Sequence, residues 1–347
     1  MQMARGVFER TQRPRRGKRK NADRAMYVLP VAKDMKIGLI DVDGHNYPNL
    51  PLMKLSAWHK QRGDHVEWYQ PMFSGHCDRV YMSKVFSFTP DYEYCIDADE
   101  IIKGGSGYCI ELENGKEVYH AERDIILADD IEHIYPDYSL YPERTHDTAY
   151  GFTTRGCPRK CQFCHVFCKE GGISRKVADI SEFWRDQGNI VLFDPNILAC
   201  PEHEDILQQL IDSKAKVEFN QGLDIRLITD KNLELLQNIR INKPHFAYDR
   251  YEDKQIIEPK MRMVREVTGW SKNNTRPTVL ILVNFNTTLE QDIERIQFCR
   301  GLEWTPYPMI YDKEHADPIY RKLQRWCNNF IFWVTPTFED YQKGGAK

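Results

Sequence analysis

After a polar, basic start, the first sustained apolar run is Lys36-Ile37-Gly38-Leu39-Ile40-Asp41-Val42-Asp43, which predicts a buried strand. From Pro51 to Arg62 the period changes. Leu52, Leu55 and Trp58 recur at helical spacing, and Gly63 suits the position just past a helix end. His65–Tyr69, Asp78–Phe86 and Glu100–Lys103 read as further strands, the last running into Gly104-Gly105-Ser106-Gly107. Asn114-Gly115, between Cys109–Glu113 and Lys116–Tyr119, is a two-residue hairpin signal. Strand–helix–strand order with glycines after a strand end predicts a small, Rossmann-like, doubly wound α/β domain over residues 35–127.

Between residues 128 and 147 periodicity fades and Tyr135-Pro136 and Tyr141-Pro142 punctuate the chain, as a linker does; its tyrosines are expected to pack rather than react. Beyond it, strand and helix patterns alternate. Strands are expected at Tyr150–Thr154, Asn189–Phe193, Lys216–Asn220, His245–Tyr248, Thr278–Asn284 and Tyr307–Tyr311. Helices are expected at Glu204–Lys214, Asn232–Ile239, Leu289–Cys299 and Asp317–Trp326. The order predicts six β/α units over residues 148–335, then a polar tail, 336–347. Parallel β/α arrays carry their chemistry at the C-terminal strand ends.

The stretch after the first of these strands changes the picture most. Cys157, Cys161 and Cys164 follow at the spacing C-x3-C-x2-C, with Phe163 between the last two. A short loop lets such thiolates converge on one metal centre, and three of them leave a fourth position open. The alternatives are a closed zinc site completed by His165 or Cys168, as in a nucleic-acid module, and an electron-transfer cluster with Cys168 as its fourth ligand.

The motif resembles the C-x3-C-x-aromatic-C signature of the radical S-adenosylmethionine (radical SAM) superfamily. That resemblance implies a partial (β/α)6 barrel and a [4Fe–4S] cluster on Cys157, Cys161 and Cys164. It implies S-adenosylmethionine chelated to the fourth iron, a 5′-deoxyadenosyl radical, and an external reductant such as flavodoxin or ferredoxin. It also implies cofactor contacts: Phe163 beside the adenine, Asp194 for the methionyl amine, Asp249 for the ribose, and Asn284 after the fifth strand. The segment from Asn284 occupies the place of the family's glycine-rich turn, with the glycines missing. Arg226 is the best of the polar group Asn220, Gln221, Asp224 and Arg226 for a carboxylate, since a guanidinium binds one bidentately. The substrate and the outcome of the reaction are not legible.

The first domain resembles a shortened, degenerate cobalamin-binding domain. Asp43-Gly44-His45 matches the start of that family's D-x-H-x-x-G motif, with Pro48 in place of the last glycine. Ser83-x-Val85 stands near its S-x-L, and Gly104-Gly105 near its paired glycines. The resemblance implies His45 as a cobalt ligand oriented by Asp43, with the glycines admitting a flat corrinoid.

Composition adds three limits. A chain of 347 residues suits about two domains. Its net charge of −3 hides nine Lys/Arg against two acids in residues 1–26, so residues 1–34 read as a basic solvated arm, with nucleic-acid contact as the alternative. No apolar run is long enough for a membrane span. The ten cysteines show no disulfide spacing, which suits a reducing cytoplasm; Cys77, Cys95, Cys109, Cys299 and Cys327 are expected as buried thiols, and Cys168 and Cys200 as spare ones.

Overall fold

The computed structural model describes residues 34–113, 116–327 and 330–344. The basic arm up to residue 33 and the Asn114-Gly115 turn lie outside them. β1 (Lys36–Asp41) pairs in parallel with β2 (His65–Trp68) and β3 (Cys77–Ser83), and β3 with β4 (Ala98–Gly104), in the order β2-β1-β3-β4. The crossover from β1 to β2 is the helix Leu50–Gln61. Asn49 caps it by accepting from the Leu52 N–H, and Pro51 lies in the first turn, where no intrahelical donor is lost. Leu52 and Leu55 pack with Ile37, Leu39 and Tyr81 on one face of the sheet.

The doubly wound expectation needs correction. The other face (Ile40, Val80, Met82) is covered by Tyr69, Tyr92 and Ile96, which lie outside helices. The β2–β3 and β3–β4 connections contain Pro71 and Pro90 and lack a helical apolar stripe, so loops do the covering. After them come the hairpin β5 (Ile110–Glu113) and β6 (Lys116–Tyr119), paired antiparallel.

The rest is built on parallel strands. β7 (Thr148–Gly151) leads into a two-stranded antiparallel ladder, β8 (Thr154–Arg155) with β9 (Arg175–Lys176). β10 (Asn189–Leu192), β11 (Lys216–Phe219) and the short β12 (Arg240–Ile241) complete a sheet of order β12-β11-β10-β7. β13 (His245–Ala247), β14 (Thr278–Val283) and β15 (Thr305–Ile310) form a second sheet, linked to the first region by a parallel bridge between Leu223 and Phe246. Helices His203–Ser213, Asp230–Asn238, Lys254–Thr268, Leu289–Gly301 and Pro318–Cys327 follow the successive strands and share one core with alternate strand residues such as Ile190, Val217, Phe246 and Ile281. This is a mixed α/β fold with parallel sheets.

Helix Lys254–Thr268 went unpredicted because Pro259 interrupts it, yet Ile257, Met261 and Val264 form a buried stripe at helical spacing. The segment read as a tail carries a helix, Phe338–Gly344, whose Phe338 is buried against Trp326. Cys95 is exposed, against expectation, while Cys77, Cys109, Cys200, Cys299 and Cys327 are buried. Among the described residues no helix is long and apolar enough to cross a membrane.

The described residues hold together as one unit. Two tyrosines of the linker stretch serve that end. Tyr138 donates its hydroxyl to the Phe183 carbonyl at 2.6 Å, and Tyr141, 3% exposed, donates to Asp41 at 2.7 Å. Burial pushes Asp41 up to about 6 despite the Tyr141 bond that opposes it.

A carboxyl raised above its ordinary 3.8 favours folding at low pH, and that benefit is lost as the pH rises through about 6. Asp41→Asn keeps an acceptor for Tyr141 and never ionises. Urea denaturation should show it matching the native chain near pH ~4 and exceeding it by up to about 3 kcal/mol at pH ~7, at about 1.4 kcal/mol per pKa unit. A difference that does not change with pH would refute the assignment.

Candidate metal and cofactor site

Because β7, β10, β11, β13, β14 and β15 run parallel, their C-terminal ends and following loops share one edge, and the cysteine loop lies on it. The loop is anchored at its start. Thr153 and Thr154 are fully buried, and each donates both its backbone N–H and its hydroxyl to Asp194 Oδ1, at 2.5 to 3.1 Å. Asp194 follows β10, so the anchor ties one strand's exit to its neighbour's. The β8–β9 ladder closes the base of the loop, the Cys157 N–H donates to the Gly171 carbonyl, and the Gly156 N–H donates to Glu170. Gly156 has φ +85°, and a Cβ there would lie 2.2 Å from the Ile173 carbonyl oxygen, so only glycine fits.

The three loop cysteines are partly buried. Burial pushes Cys164 up to about 11 and raises Cys161 as well, the latter opposed chiefly by Arg226. Without a metal Cys161 and Cys164 are neutral thiols, and a cation binding them displaces protons. Among the described residues Glu111, Glu113 and His120 are the one set of three or more such ligand atoms within 4.8 Å of one another, so the loop sulfurs stand wider. A single tetrahedral zinc with Zn–S of about 2.3 Å needs closer sulfurs than that. Ligands that each take a different iron of a cluster do not. His165, the alternative zinc ligand, turns its Nδ1 to Glu117 at 2.7 Å, and Cys168 is exposed.

The polar residues at the edge form a network. Asp224 accepts from Arg226 Nε at 2.7 Å and from Arg159 Nε at 2.9 Å, and Arg226 also donates to Asp253 at 2.6 Å. Burial alone would raise Asp224, but the arginines, Arg226 foremost, hold it below the ordinary carboxylate value. Asp249 accepts the Leu282 N–H, and burial pushes it up to about 6. The ends of β13 and β14 are fixed from below by the fully buried Arg295, which donates to the Tyr248 and Leu282 carbonyls and pairs with Asp292.

Phe163 stands edge-on to Phe285, ring centroids 5.1 Å apart, and Phe285 meets Tyr311 at 4.8 Å. Asn284 and Asn286 on either side of Phe285 have φ +65° and +52°. Asparagines thus supply the left-handed turn that glycines were expected to make.

Several expected roles change. Asp194 is 4% exposed and engaged by the two threonines, so it is an anchor and not an open partner for an amine. The fork of Arg226 is already closed on Asp224 and neutralised by Asp253, so it does not await a cofactor carboxylate. Asn284 points its amide at the Tyr311 carbonyl.

The residue that the sequence reading missed is Asn196, 4% exposed. Its Nδ2 lies 3.5 Å from Cys157 Sγ and 3.3 Å from Asp224 Oδ2. A carboxylate only accepts, so the NH2 must face this way, and Oδ1 turns away, buried and without a partner.

The cobalamin expectation does not fit. Asp43 accepts from the Val85 and Phe86 N–H groups and the Thr89 hydroxyl, so it does not orient His45, which is exposed with its ring edge-on to Trp68. Ser83 is buried at the end of β3. At Gly105 (φ +99°) a Cβ would lie 2.3 Å from the Lys84 carbonyl oxygen, whereas Gly104 meets only Ile125. The close approach these glycines permit is made by the chain itself.

Replacing Asp194 by alanine leaves four buried donors unsatisfied, each costing about 1–3 kcal/mol. Asp194→Ala is therefore expected to lose at least about 3 kcal/mol in chemical denaturation. Asp194→Asn, which keeps Oδ1 as an acceptor, should lose clearly less. Equal losses would show that the anchor is misassigned.

No protein-family model and no curated protein matches this chain. Among solved structures, two of SuiB from Streptococcus suis align with it at 14% sequence identity. The one bound to the precursor peptide SuiA aligns over 54% of this chain and 46% of its own, with a TM-score of 0.40. The one bound to S-adenosylmethionine aligns over 54% and 45%, with a TM-score of 0.38. The match spans under half the length of those chains, and the reading rests on the site's own residues.

Proposed function

We propose that the chain is a radical SAM enzyme. The observation that carries this reading is a loop of three cysteines, with Phe163 before the third, at the shared C-terminal edge of parallel strands. Cys157, Cys161 and Cys164 would hold a [4Fe–4S] cluster. When bound together with S-adenosylmethionine, that cluster supplies reductive cleavage of a carbon–sulfur bond to give a 5′-deoxyadenosyl radical.

The chain's own residues do the positioning. Asn196, just past β10, sets its Nδ2 3.5 Å from Cys157 Sγ and so steadies a cysteine that would hold the cluster. Phe163 and Phe285 offer an aromatic wall for the adenine, and Asp249 a carboxylate for the ribose. The Asp224–Arg226–Asp253 network holds its charges in place before any ligand arrives, so no reorganisation is needed at the moment of reaction. A small reductant such as flavodoxin or ferredoxin would deliver the electron.

The test is anaerobic reconstitution with iron and sulfide, reduction with dithionite, and chromatography for 5′-deoxyadenosine after adding S-adenosylmethionine. The wild type should make it, and Cys161→Ala should not. A protein that takes up zinc in preference to iron would overturn the reading.

A further inference from the structure

We infer that Asn196 sets the reduction potential of the cluster by donating an N–H to the Cys157 sulfur; this rests on the proposed reading of the loop. Three observations converge on it. Nδ2 stands 3.5 Å from Sγ, within reach of an N–H···S bond. Asn196 is 4% exposed, so little water competes for that sulfur from its side, and in a low dielectric the bond counts for more. Its direction is fixed, because the same NH2 also donates to Asp224, which Arg226 and Arg159 keep ionised.

Hydrogen bonds to cluster sulfurs are among the levers that set iron–sulfur potentials. A donor withdraws electron density from a thiolate, and so stabilises the cluster once it has gained an electron. Asn196 also stands between Asp224 and Cys157. One amide satisfies the carboxylate and the thiolate together, two groups that would otherwise face each other as like charges. Asn196 is thus a positioning residue, acting on the electron through Cys157.

The backbone under Asn196 supplies the control. Its carbonyl accepts from Ser174 Oγ at 3.0 Å, so Ser174→Ala loosens the same segment without touching the N–H···S contact.

The experiment is a potentiometric titration, followed by electron paramagnetic resonance, of protein reconstituted anaerobically without S-adenosylmethionine. Asn196→Leu, similar in size and lacking the donor, should have a more negative midpoint. The expected effect is at least a tenfold loss in the reduction equilibrium, which for one electron is about 59 mV. Ser174→Ala should titrate with the wild type. An unchanged midpoint in fully loaded Asn196→Leu, or an equal shift in Ser174→Ala, would overturn the inference alone.

If Asn196→Leu does not load iron, wild-type protein labelled with side-chain 15N asparagine decides the matter. A 15N coupling to the reduced cluster in pulsed resonance supports the contact, and its absence refutes it. A wild type that assembles no [4Fe–4S] cluster at all would instead overturn the proposed function, and this inference with it.

Discussion

The bond set between Asp194 and the two threonines is the constraint on which the site depends. A loop rich in thiols, glycine and charge has little apolar surface of its own with which to order itself. Here its first two residues are fixed by a buried carboxylate on the neighbouring strand's exit. Asn196 lies two residues beyond Asp194, across a bend at Pro195, and its amide reaches the same loop.

Charge is managed by the same logic of early commitment. A buried carboxylate is tolerated only when paired or hydrogen-bonded. Asp224 and Asp253 meet Arg226, Asp292 meets Arg295, and Asp194 meets four donors. The edge that faces the cysteines therefore presents fixed dipoles with little uncompensated charge. Asp249 departs from this pattern: burial raises it to about 6 while it accepts the Leu282 N–H.

How much of this the sequence disclosed follows from the range of the forces involved. Strand and helix patterns are local, and the strands fell close to where apolar runs placed them. The cysteine spacing is local too, and it located the loop. What escaped is set by neighbours in space. Whether Asp194 faces a ligand or Thr153 depends on where β7 ends beside β10. Asn196 carries no signal, since an asparagine two residues past a strand is ordinary loop chemistry. That Asn284 and Asn286 take the left-handed conformation, where glycines were missing, is seen only in the backbone. Helix Lys254–Thr268 hid behind Pro259, although its apolar stripe was there to be counted.

The first module shows that a spacing resembling a ligand motif need not leave room for a ligand. Glycines stand at the strand end, but Lys84 to Phe86 folds back over them, and Asp43 holds that segment in place. A flat cofactor and a covalently continuous loop compete for one surface, and the loop is always present at full local concentration. What the module then offers is contact with the cysteine loop. Glu117 of the hairpin reaches His165, the residue after Cys164, and Ser106 accepts from Lys169 in the helix Val166–Glu170 that follows. The hairpin and the segment after β4 thus bear on the cysteine loop from the side opposite the Asp194 anchor in sequence, and the two together hold the thiols between fixed ends.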